Sequence, residues 1–122
     1  IDILIKSYMV NYLSSILEEL DLKDLDYELL NTIIRGVYKN ISIIDEIISK
    51  NLSKNWSIDR LSETEKSVLR LATYELLFER KFNKITIINE YISIIRVFGG
   101  SPDFANGILE NISKELNENY NE

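Results

Sequence analysis

The chain has 122 residues, 45% of them apolar and 28% charged, enough for one domain with its own core and too apolar for wholesale disorder. It contains neither Cys nor His, which excludes disulfides, thiolate metal sites, cysteine nucleophiles and a Ser-His-Asp triad. The formal net charge of −6 argues mildly against nucleic acid as a partner.

Four Gly and one Pro leave little punctuation for a β-protein, and the apolar spacing is helical nearly throughout. Residues 2–20 carry Ile3, Tyr8, Tyr12, Leu13, Ile16, Leu17 and Leu20 at helical spacing, a first helix. The acidic stretch Asp21 to Asp26 reads as a connection. Residues 26–40 put Tyr27, Leu30, Ile34, Val37 and Tyr38 on one stripe, with Glu28, Arg35 and Lys39 opposite. Ser42 and Asp45 have capping-box-like spacing and are expected to open a third helix through Ile43, Ile44, Ile47, Ile48 and Leu52.

Trp56 to Leu61 reads as a short helical turn. Ser62-Glu63-Thr64-Glu65 is a full capping box, and the helix it opens over 63–79 is apolar almost all round. That pattern marks it as the central, buried helix. Another helix over about 84–98 ends at Gly99-Gly100, where glycine takes a left-handed cap at little cost. Ser101 as N-cap and Pro102 at the first helical position open the last helix, about 102–118. The tail 117–122 is polar and expected to fray. There is no internal repeat and no linker. The longest apolar run is three residues, as in Leu76-Leu77-Phe78, so no membrane-spanning helix or signal segment is read here and a cytoplasmic location is expected.

Charge is unevenly spread. Residues 1–34 hold two Lys and seven acids, residues 35–98 eleven Lys/Arg and eight acids, and residues 99–122 one Lys and five acids. The middle is mildly basic between acidic ends, which ordinary solvated helix faces also explain. Residue 1 is Ile rather than Met, so the natural chain is expected to begin earlier.

Trp56-Ser-Ile-Asp-Arg60-Leu61, followed by Val68-Leu69-Arg70-Leu71-Ala72-Thr73-Tyr74-Glu75-Leu76-Leu77, resembles the central signature of the NusB family. Ile87-Ile88-Asn89-Glu90-Tyr91-Ile92 is similar to that family's next helix, and Phe98-Gly99 with Phe104-Ala105-Asn106-Gly107-Ile108-Leu109 to its last. Ile34-Arg35-Gly36-Val37 and Ile44-Asp45-Glu46-Ile47-Ile48 fit upstream, so the resemblance covers about residues 27–113. It implies an all-α fold, a compact bundle of about seven helices in two subdomains, with 1–122 as a single RNA-binding domain. It implies no enzyme activity, cofactor or metal. The implied function is transcription antitermination, through boxA-type RNA bound together with the ribosomal protein NusE in the transcription elongation complex. Two alternatives stand beside it: a helical protein–protein module or homodimer with weakened RNA binding, and the RNA-binding region of an rRNA cytosine methyltransferase. The family's arginine-rich opening segment has no counterpart, since residues 1–34 contain no Arg.

The candidate site residues each have a plain structural reading as well. Lys6 and Tyr8 lie on the first helix, which by the resemblance lines the RNA path; Tyr12 is an equal candidate. Gly99, Gly100, Ser101, Asp103, Phe104 and Asn106 form a turn at a helix N-terminus, where free N–H groups suit phosphate or base edges. The alternative is helix punctuation with Phe104 in the core. Glu65 and Lys66 open the central helix; acids there favour the positive end of the helix dipole, and the resemblance places a NusE contact nearby. Arg70, amid large apolar residues, needs a partner: Glu90 is expected, with Glu75 as the alternative. Asn89 is expected to bond a neighbouring helix end, and Trp56 to plug the subdomain junction, with base stacking as its other reading. Glu75 and Glu79, spaced i,i+4, read as a surface ion-pair face rather than a metal site, since the Glu-x-x-His partner of a di-iron bundle is absent.

Overall fold

The structure is a computed structural model and describes residues 27–78 and 83–120. The elements among the described residues are all helical: α1 (Tyr27–Lys39), α2 (Ile41–Lys50), a 3₁₀ turn (Ile58–Arg60), α3 (Glu63–Phe78), α4 (Lys84–Phe98) and α5 (Pro102–Tyr120). The helix expected over 2–20, with Lys6, Tyr8 and Tyr12, lies outside the described residues.

The chain divides into two compact units, Ile1–Lys39 and Asn40–Glu122. In the first, α1 buries Ile34 and Val37, one turn apart, while Arg35 and Lys39 are exposed. Tyr38, expected on the same stripe, is exposed instead.

In the second unit α3 is the central element, in contact with α2, α4 and α5. Val68, Leu69, Leu71, Ala72 and Leu76 are buried on a broad arc that buried Ser67 and Thr73 widen on either side, while Lys66, Arg70 and Tyr74 on the remaining side are half-buried. Its last turn departs from that pattern: Phe78 is exposed and rests against Tyr74, with ring centroids 5.0 Å apart. The neighbours supply Ile44 and Ile48 from α2, Ile87, Ile88, Ile92 and Ile95 from α4, and Ala105, Leu109 and Ile112 from α5. Burying one such side chain contributes about 1.5–3 kcal/mol.

The helix ends follow local chemistry. Glu65 N–H donates to Ser62 Oγ at 3.1 Å and Ser62 N–H to Glu65 Oε1 at 3.3 Å, the reciprocal capping box at the start of α3. Asn83 Oδ1 accepts from the Thr86 N–H at 2.8 Å and starts α4. The expected Ser42–Asp45 cap does not form. α2 begins two residues earlier than that cap would place it, with Asn40 at the N-cap position making no side-chain capping bond, while Asp45 pairs with Arg70 on α3. At the other end of α2, Asn51 Nδ2 donates to the Ile47 carbonyl at 2.9 Å and to Glu115 Oε2 on α5 at 3.2 Å.

Candidate nucleic-acid interface

The turn between α4 and α5 is built by two glycines with different reasons for being glycine. Gly99 has φ +80°, a left-handed conformation that a Cβ disfavours, and its N–H donates to the Ile95 carbonyl. Gly100 is demanded by space. A Cβ there would lie 3.0 Å from Ile95 Cγ2 and 3.4 Å from Glu65 Cγ, and Ile95 is fully buried and cannot yield. The turn therefore sits against the opening of α3, and the expected sites at Gly100 and Glu65 are neighbours.

Ser101 and Pro102 then start α5 as the sequence indicates. The Phe104 N–H donates to Ser101 Oγ at 3.2 Å. Asp103, exposed in the first turn, places a negative charge at the positive end of the helix. That charge disfavours a phosphate at this helix end. Phe104 and Asn106 are half-buried.

Trp56, expected to be a buried plug, is 49% exposed. It leans on Phe104, with centroids 6.0 Å apart and planes inclined at 49°. It stands on a link, residues 51–57, held by successive tight turns: Leu52 N–H to Ser49 O, then Trp56 N–H to Ser53 O. Arg60 Nη1 adds a bond to the Asn55 carbonyl at 3.0 Å.

The other expected residues separate from this cluster. Arg70 is paired, but with Asp45: Nε and Nη2 reach the two carboxylate oxygens at 2.9 Å each. The side of α3 that carries Arg70 meets α2, while Glu90 is exposed on α4. Glu75 instead accepts a hydrogen bond from buried Tyr91, whose hydroxyl is pushed well above the ordinary tyrosine range by burial first and then by the charges of Glu75 and Glu90. Asn89 is exposed rather than bonded to a helix end. The hydrogen bond at that position runs from Ser93 Oγ to its backbone carbonyl. Glu65 Oε1 is held by Ser62, and Lys66 lies 3.5 Å from Glu63. Sequence reasoning missed Asp45 and Tyr91, and it missed the cations Lys54 and Arg60 beside Trp56. Cations two and four residues from the chain's single tryptophan were the available signal.

No helix among the described residues is long and apolar enough to cross a membrane. No group of three or more acids among them is placed to hold a metal ion.

The sequence model of the NusB family matches residues 2–114. The chain belongs to the NusB family. It is 50% identical over 84 residues, 67% of its length, to the transcription antitermination protein NusB of Thermotoga maritima. The chain spans 58% of the length of that relative. Among solved structures it is similar to T. maritima NusB, with a TM-score of 0.72, 35% identity, and coverage of 93% of this chain and 88% of the other. It is also similar to a chain in the crystal structure of the antitermination factors NusB and NusE in complex with dsRNA, with a TM-score of 0.67, 30% identity, and coverage of 81% and 74%. The all-α fold is thus that of NusB.

Proposed function

We propose that this chain is a transcription antitermination factor that binds boxA-type RNA together with the ribosomal protein NusE in the elongation complex. On this reading it works in the cytoplasm as a single RNA-binding domain and catalyses no reaction. The observation that carries the reading is family membership, joined to likeness in both sequence and fold to a chain from a NusB–NusE–dsRNA assembly. The cluster of Gly99, Gly100, Ser101, Phe104 and Asn106 is the proposed RNA contact; Lys6 and Tyr8, proposed by the resemblance, lie outside the described residues. Glu65 and Lys66, on the adjoining start of α3, are the proposed protein-partner residues.

A second reading, an interaction module or homodimer with weakened RNA binding, is favoured by Asp103 at the start of α5 and by the net charge of −6. One experiment separates the two. A labelled boxA-type RNA is titrated with the chain, with and without NusE, over a salt series. Antitermination predicts binding that NusE tightens and salt weakens, with a slope of about −0.7 in log K against log salt for each phosphate neutralised. No binding at low salt even with NusE leaves the interaction module.

A further inference from the structure

We infer that Trp56, backed by Phe104, is a stacking platform for an unpaired RNA base, an inference that rests on the RNA-binding reading above. An indole normally buries most of its surface. Here the chain's only tryptophan is half in water, while Tyr91, an aromatic of the same unit, is 7% exposed. The exposure does not come from a loose support. Asn51 ties the start of the link to α2 and to Glu115 of α5, and Leu61 buries its end. The Arg60–Asn55 and Trp56–Ser53 bonds brace the middle. A ring held this way loses little further freedom when a ligand stacks on it.

The second ring is fixed too, because Phe104 occupies the capped first turn of α5. The two planes meet at 49°, so neither ring covers the other's face. Charge selects the occupant. The stretch from Lys50 to Arg60 carries three cations and one acid, Asp59, in a chain whose net charge is −6, with Lys50 paired to Glu46 at 3.6 Å and Lys54 and Arg60 in no ion pair among the described residues. Lys54 and Arg60 are exposed two and four residues from the indole, suited to the phosphates flanking a stacked base. On the Phe104 side Asp103 repels phosphate, which leaves stacking as the contact there. An open aromatic face on a segment that carries exposed cations matches single-stranded nucleic acid, in which a base face is free; in a duplex it is already stacked.

A lone tryptophan makes its own emission the readout. The full chain, with NusE present, is titrated with a short single-stranded boxA-type RNA carrying a dye, and binding is followed both by dye anisotropy and by tryptophan emission. NusE alone is added as a separate arm. The expected result is quenching of Trp56 that tracks the anisotropy curve, a loss of affinity of about tenfold or more in Trp56→Ala, and recovery of most of it in Trp56→Phe. Circular dichroism melts confirm that both variants fold. RNA that binds by anisotropy while emission stays flat and Trp56→Ala binds like the parent overturns this inference and leaves the antitermination reading intact. Emission that responds to NusE but not to RNA also overturns it, and assigns the ring to a protein partner. Absence of RNA binding by the parent removes the antitermination reading, and the platform with it.

Discussion

Burial first, and then the charge of Glu75 and the hydrogen bond donated to it, keep the Tyr91 hydroxyl protonated well above the usual tyrosine range. In the unfolded chain the same group ionises near pH 10. The folded protein therefore keeps a proton that the unfolded chain gives up. Tyr91's contribution is fully present below about pH 10 and is lost as the pH rises from there towards its folded value. Stability declines across that window because only the folded state keeps the proton. Tyr91→Phe should lower stability near neutrality by about 1 kcal/mol, because Glu75 loses a donor, and should flatten the alkaline decline. Urea midpoints of parent and variant between pH 8 and 11 check this; parallel curves above pH 10 contradict it.

At the scale of elements, the Asp45–Arg70 pair joins α2 to α3. The two side chains are 29% and 15% exposed, so losing one partner should cost less than the 3–5 kcal/mol typical of full burial, about 1–3 kcal/mol. Asp45→Ala and Arg70→Met are each expected to destabilise by that amount. The double variant should cost little more than either single, giving a coupling of about 1 kcal/mol or more in denaturant unfolding. Additive singles would mean that the pair contributes nothing by pairing.

The same pair marks how far the sequence reaches. The capping box at Ser62, the bounds of α4 and the Ser101-Pro102 start of α5 were legible because each is settled within four residues of chain. The central place of α3 was legible because its apolar positions form a broad arc rather than a narrow stripe. Which carboxylate meets Arg70 was not legible. Asp45, Glu75 and Glu90 are equivalent in composition, and only the packing of α2 on α3 chooses among them. Trp56 was misjudged for a related reason: burial belongs to the neighbours that a fold assembles. Gly99 and Gly100 read alike in sequence, yet one answers to a backbone angle and the other to the side chains of Ile95 and Glu65.

Across the unit 40–122, most helix contacts join elements that are neighbours along the chain, α2 with α3, α3 with α4 and α4 with α5. Such a topology has low contact order and is expected to fold quickly. The bond from Asn51 to Glu115 is different, because it spans 64 residues and links the first helix of the unit to its last. A contact that closes so long a loop has little to gain until the intervening helices are in place, so it forms after the rate-limiting barrier. Glu115→Ala should then leave the refolding rate unchanged and speed unfolding severalfold, a split that stopped-flow chevrons resolve. The clasp is thus a latch on the lifetime of the folded unit, with no hand in how fast that unit is reached.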